Sequence, residues 1–135
     1  MNTVSGTVIR GTQQARTLGY PTANLALPIG HGVSSGVYLG KTTLGPGSQY
    51  DSCVYVYTNT LETHLLGQNI DLYDQVIQVE LIQKLRDCID FSKLTQEEII
   101  SQIKEDINTT VEYFHMMFKY TPVGTEVQVA SESNF

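Results

Sequence analysis

Helical periodicity is confined to one stretch of this chain, and it follows every strand-forming run. From Thr95 onward the apolar residues Ile99, Ile103, Ile107, Val111, Phe114 and Phe118 recur every three or four positions, the stripe an amphipathic helix lays against a core. Thr95 and Glu98 form a capping box at its start, each satisfying a backbone donor that the first turn leaves open. Pro122 and Gly124 mark its end. Everything earlier is short and β-forming. Val4 to Ile9 ends at Arg10-Gly11, and Gly36 to Leu44 is closed by the turn signal Gly45-Pro46-Gly47. Cys53 to Thr58 is rich in strand formers, its valines on one face and its tyrosines on the other. Leu61 to Leu66 follows across a tight Asn59-Thr60 connection. Val76 to Leu85 alternates, with Ile77, Val79, Leu81 and Leu85 on one face and Gln78, Glu80 and Lys84 on the other. Strands this closely spaced predict a barrel or sandwich with the helix packed on it.

The chain has 135 residues, 41% of them apolar, enough for one domain with a core of its own. Residues 1–120 are expected to form that domain, and residues 121–135 a polar, mobile tail; no internal repeat or second domain is visible. No run of eighteen apolar residues exists and Met1-Asn2-Thr3-Val4 carries no signal-peptide pattern, so no membrane association is expected and the cytoplasm is the expected location. Eight Lys and Arg against 14 Asp and Glu give 8 − 14 = −6. That balance opposes nonspecific binding to nucleic acid, which depends on neutralising phosphates. It does not oppose a small phosphorylated ligand, which needs only a local field from backbone amides or a metal. Cys53 reads as a buried small hydrophobe and Cys88 as an exposed thiol in a charged loop. Neither they nor His31, His64 and His115 have zinc-ligand spacing. A monomer is expected.

Gly19-Tyr20-Pro21-Thr22-Ala23-Asn24 carries the most pointed chemistry. Proline disfavours a helical residue before it, so the segment is extended or turning. In an extended segment Thr22 and Asn24 point the same way. A hydroxyl and a carboxamide on one face suit a hard cation such as Mg²⁺ and the phosphate oxygens around it; Pro21-Thr22-Ala23-Asn24 alone also describes an ordinary polar turn. Glu62 shares a strand face with His64 and Leu66. Partial burial there would raise its pKa and make it a useful base, whereas full exposure would make it a solvated carboxylate. The absence of Gly-x-x-x-x-Gly-Lys-Ser/Thr excludes a P-loop enzyme.

Taken in order, these stretches resemble a known family. Ser5-Gly6-Thr7-Val8-Ile9-Arg10-Gly11 followed by Arg16-Thr17-Leu18-Gly19-Tyr20-Pro21-Thr22-Ala23-Asn24-Leu25 resembles the N-terminal signature of the riboflavin kinases. Ser35-Gly36-Val37-Tyr38, Leu61-Glu62-Thr63-His64-Leu65-Leu66, Asp71-Leu72-Tyr73, Leu85-Arg86 and Asp90-Phe91 are similar to later landmarks, so the likeness runs from about Ser5 to Phe118. It implies a mainly β fold, a small antiparallel Greek-key barrel with one long C-terminal helix. It implies ATP-dependent phosphorylation of riboflavin to FMN, with ADP as the other product and Mg²⁺ or another divalent cation as cofactor. Glu62 would be the general base, and Thr22 and Asn24 would hold the metal. Gly11, Arg16 and Gly19, with Thr22 and Asn24, would bind the nucleotide under a covering Gly11–Gly19 segment. Tyr73, Arg86, Tyr113 and Met117 would contact the flavin, Arg86 by ordering the 85–91 loop. With no adenylyltransferase domain preceding it, FAD synthesis is expected to need another protein.

Three departures from the pattern stand out. Ala15 replaces a glycine in the covering segment and restricts its backbone. Asp74 follows Tyr73 where the family has glycine, a turn that aspartate tolerates. Only Thr58-Asn59-Thr60 joins Tyr57 to Leu61, where a longer loop is expected. Thr22, Asn24 and Glu62 are untouched by all three. A flavin- or nucleotide-binding module with weakened turnover is the alternative.

Overall fold

In the computed structural model, which describes residues 2–11 and 19–119, the alternation of the strand runs becomes the two faces of one antiparallel sheet. The elements are β1 (Asn2–Thr7), β2 (Ala23–Ala26), β3 (Gly36–Leu44), β4 (Gln49–Val56), β5 (Thr60–Leu65) and β6 (Val76–Arg86), then a single 3-10 turn and the helix α1 (Gln96–Lys119). Short connections make β3, β4 and β5 consecutive neighbours. Gly47, at φ 106°, turns the first hairpin, and Tyr57 N–H donates to the Thr60 carbonyl at 2.8 Å across the second. β6 then returns beside β3, giving the order β1-β6-β3-β4-β5-β2. Three hairpin strands with the fourth returning beside the first are a Greek key. Beyond β1 the chain reaches β2, where Ile9 N–H donates to the Asn24 carbonyl at 2.8 Å. The sheet is thereby a nearly closed six-stranded barrel.

Its interior holds Val8, Leu25, Val54, Val56, Leu61, Leu65, Ile77, Val79 and Leu81, all buried. Three polar groups share that space without being orphaned. Thr42 and Thr63 join hydroxyls at 2.8 Å, and Ser52 Oγ donates to Thr42 Oγ1 at 2.9 Å. The outer face of β3 and β4 carries Val37, Cys53 and Tyr55, packed with Tyr57, Leu85 and Ile107. Val54 and Val56 therefore face the interior and Tyr55 and Tyr57 the exterior, as expected, while Tyr50, earlier in β4, packs against the interior cluster.

Several expectations shift. β1 stops at Thr7 rather than Ile9, because its partner ends at Val76. Val8 N–H finds the Gln75 carbonyl instead and Ile9 crosses to β2. β4 starts at Gln49, not Cys53; its polar start is carried by pairing with β3, where Asp51 lies opposite Lys41 with an N···O separation of 3.7 Å. Ala23 and Asn24, read as the end of an extended or turning segment, open β2, a strand paired with β5. Leu85 does not continue the face of Ile77, Val79 and Leu81. Register shifts in the β3–β6 ladder break the alternation and turn Leu85 outward onto the helix-side cluster.

The capping box at the helix start is present, with Thr95 N–H donating to Glu98 Oε1 at 2.8 Å and Glu98 N–H to Thr95 Oγ1 at 3.1 Å. Ile99 and Ile103 are buried and Ile107 joins the outer cluster, but Val111 is 47% exposed. The stripe runs off the barrel because the buried face continues instead through Asp106 and Thr110. The side chain of Phe118, the expected helix end at Pro122 and Gly124, and the 121–135 tail lie outside the described residues.

Candidate functional site

Antiparallel partners share a sheet face, so the strand registers build a lateral row on the outside of the barrel. Ile9 lies opposite Asn24, Asn24 opposite Glu62, Glu62 opposite Tyr55, Tyr55 opposite Val37, and Val37 opposite Arg86. Neighbouring strands lie about 4.8 Å apart, so Asn24 and Glu62 are immediate neighbours, and Arg86 sits roughly 14 Å farther along the row. Three of the sequence-derived candidates, from strands far apart in the chain, thus share one line.

At the Asn24 end the row opens into a cleft of about 170 Å³ lined by Arg10, Gly11, Thr22, Asn24, Asp71 and Tyr73, with Val8, Ile9, Ala23 and Leu72 behind. Asn24 is only 5% exposed. Gly11 crosses directly over its carboxamide: a Cβ there would stand 2.5 Å from Asn24 Oδ1 and 2.8 Å from Nδ2, closer than such atoms can approach. Tyr73 reaches the cleft on the 71–75 turn, where its N–H donates to Asp71 Oδ1 at 3.0 Å. Asp74 takes φ 71° there and its N–H donates to the Val8 carbonyl at 2.9 Å, so aspartate makes the turn expected of glycine. Arg10 stacks over the Tyr73 ring at 4.1 Å, a cation–π contact that joins the two walls.

Glu62 is mostly buried, and burial holds its carboxyl above the usual carboxylate range. Tyr57 is its neighbour; burial first, and then the charge of Glu62, raises the Tyr57 phenol. His64, on the same face, does not hydrogen-bond Glu62. Its Nδ1 lies 2.7 Å from the Pro21 carbonyl, because the chain before β2 passes directly over it.

At the far end of the row Arg86 Nε and Nη2 donate to Asp106 Oδ1 and Oδ2 at 2.8 and 2.7 Å. Tyr55 Oη and Gln102 Nε2 also donate to that carboxylate, at 3.3 and 3.0 Å. Arg86 Nη1 donates to the Asp87 carbonyl at 2.8 Å, which ties it to the loop it was expected to order. Tyr113 and Met117 stand on α1 at 38% and 48% exposure. Tyr73 is not with them but in the Asn24 cleft. Gly19 takes φ 97° at the edge of the segment that precedes Thr22. Arg16 and Ala15 lie outside the described residues.

Arg10 and Asp71 in the cleft, and Asp106 beneath Arg86, were missed in the sequence. Asp106 left a signal: an acid three residues after Ile103 and seven after Ile99 sits on the buried helix face and requires a partner. Among the described residues no group of three or more His, Cys, Asp and Glu could hold a metal. The neutral oxygens of Thr22 and Asn24 fit a hard cation whose remaining ligands come from phosphate and water.

The chain matches the family model described as Flavokinase: Riboflavin kinase over residues 2–114. It is 32% identical over 126 residues to a bifunctional riboflavin kinase/FMN adenylyltransferase of Buchnera aphidicola subsp. Schizaphis graminum, covering 84% of this chain and 39% of that protein. It is 32% identical over 128 residues to the RNA-binding riboflavin kinase RibR of Bacillus subtilis, covering 87% of this chain and 53% of that protein. The chain therefore spans between about two fifths and half of these relatives' length. The riboflavin kinase structure from Trypanosoma brucei shares the fold, with a TM-score of 0.60 at 20% identity over 84% of this chain and 76% of that one. With the family model covering most of its length, this chain belongs to the riboflavin kinase family.

Proposed function

We propose that this chain is a riboflavin kinase, transferring the γ-phosphoryl group of ATP to the 5′-hydroxyl of riboflavin. The observation that carries this reading is the pairing of Asn24 with Glu62 in a member of the riboflavin kinase family. It sets a carboxylate with raised basicity beside the residues that suit a metal–phosphate group. Phosphoryl transfer needs alignment, charge neutralisation and a proton acceptor rather than covalent help. Mg²⁺, when bound, would neutralise charge on the phosphate oxygens. Thr22 and Asn24 would hold it through oxygen. Gly11 keeps the Asn24 carboxamide under the backbone at the cleft, and Arg10 supplies a positive charge at its rim. Glu62 takes the proton of the 5′-hydroxyl as that oxygen bonds to the γ-phosphorus and the bond to the β–γ bridging oxygen breaks, releasing ADP. The flavin ring would extend along the row toward Arg86, Tyr113 and Met117. Arg16 and the Gly11–Gly19 segment would cover the nucleotide.

The same reading places the protein in the cytoplasm, where ATP is available, and treats it as a monomer with small-molecule partners. The net charge of −6 disfavours a nucleic-acid partner. Incubation with riboflavin, ATP and Mg²⁺, with chromatographic separation of FMN from riboflavin, tests it. ATP-dependent FMN formation is the expected result. Riboflavin binding without FMN under several divalent cations would instead make this a binding module.

A further inference from the structure

We propose that His64 is a positioning residue, whose imidazole fixes the Pro21 carbonyl and thereby the direction of the Thr22 side chain. The inference rests on the riboflavin kinase reading of the Thr22–Asn24 cleft. The β2–β5 ladder begins at Ala23 opposite Thr63. Continued by one step it would pair Thr22 with His64, but it stops there, and Pro21 has no N–H to extend it. Thr22 therefore lies just outside the strand hydrogen bonds that hold Asn24.

A side chain takes over where the ladder ends. His64 Nδ1 stands 2.7 Å from the Pro21 carbonyl, and since a carbonyl only accepts, Nδ1 carries the hydrogen. His64 is 8% exposed, so the bond is sheltered from competing water. The Tyr20 ring meets the imidazole edge-on, with centroids 6.2 Å apart, closing the other side of the same segment. His64 also lies two residues from Glu62 on one strand face. One strand thus carries the proposed base and, through His64, the peptide that precedes the proposed metal ligand. A change in that strand's position moves both groups together, which keeps their separation constant.

The test compares three substitutions. Asparagine places its amide nitrogen close to the position of Nδ1, glutamine places its own nearer to Nε2, and alanine has no donor. His64→Ala should raise KM for Mg²⁺-ATP by about tenfold, the effect of one ordinary net hydrogen bond, with KM for riboflavin nearly unchanged. His64→Asn should recover most of the loss and His64→Gln should not. In two-dimensional NMR spectra of the ligand-free proteins, the Thr22 amide should move in the alanine and glutamine variants and stay near its wild-type position in the asparagine variant. Equal behaviour of the asparagine and glutamine variants in both measurements overturns the inference, as does a nucleotide KM unaffected by alanine. Should alanine prevent folding, the asparagine–glutamine pair still decides. Failure of the wild-type protein to make FMN would bring down the kinase reading, while the Thr22 amide still tests whether His64 sets that residue's position.

Discussion

Glu62 sits where an ionised carboxylate is disfavoured by burial, and that has two measurable effects with different signs. Its folded-state pKa lies above its unfolded value, so its contribution to stability is complete below the unfolded pKa and is lost as pH rises through the folded one. Glu62→Gln, which cannot ionise, should therefore melt at a higher temperature than wild type at neutral pH, with the two converging in acid. The same substitution removes the proposed proton acceptor and should lower kcat by about 10²–10⁴-fold with riboflavin affinity little changed. In wild type, kcat/KM should fall on the acid side with a midpoint above the ordinary carboxylate range, and the variant should lack that limb. A variant both less stable and fully active would remove Glu62 from catalysis. Gly11 gives a second prediction at this scale. An added Cβ would stand 2.5 Å from Asn24 Oδ1, so Gly11→Ala must displace the carboxamide or the backbone. It should raise Kd for nucleotide about tenfold or more, a loss comparable to one hydrogen bond, and leave the melting temperature within a few degrees; titration calorimetry and thermal melts check both.

At the scale of elements, α1 is fastened to the barrel by a charged pair as well as by its apolar stripe. Asp106 is 4% exposed and receives donors from Arg86, Tyr55 and Gln102. Removing one partner of a buried pair leaves the other uncompensated and typically costs about 3–5 kcal/mol. Asp106→Ala should destabilise by that order in urea unfolding, whereas exposed Val111→Ala should change stability by less than about 0.5 kcal/mol. Equal effects would mean that the Asp106–Arg86 pair contributes nothing to docking the helix. This junction also marks what could be read in advance. Capping at Thr95 and Glu98 and the split faces of β4 follow from local rules and are visible in the residues. So is the second hairpin, although its turn falls at Thr58-Asn59 rather than Asn59-Thr60, because Thr60 already lies in β5, paired with Ala26. The reversal of Leu85 comes from register shifts against β3, which no periodicity within β6 announces. The Asn24–Glu62 pairing has the same character. Each residue could be singled out in its own segment, but their adjacency depends on β2 joining the edge of β5. Residue type groups Tyr73 with Tyr113 and Met117, while the 71–75 turn carries it to the Asn24 cleft.

For the whole molecule, the two thiols offer a test of cooperativity. Cys53 is fully buried between barrel and helix, and burial pushes its thiol up to about 11; Cys88 is exposed. A thiol reagent should label one cysteine quickly in the native protein and the second only at the rate of global unfolding. Fast labelling of both would show that α1 lifts off independently. The lateral row has a further consequence for how the protein can be divided. A cut at the Gly45-Pro46-Gly47 turn would leave Asn24 and Val37 on one fragment and Tyr55, Glu62 and Arg86 on the other. Neither piece would carry the whole row. Flavin capture by the mixed halves would be an all-or-none signal of their reassembly, making this small barrel a natural scaffold for a split reporter.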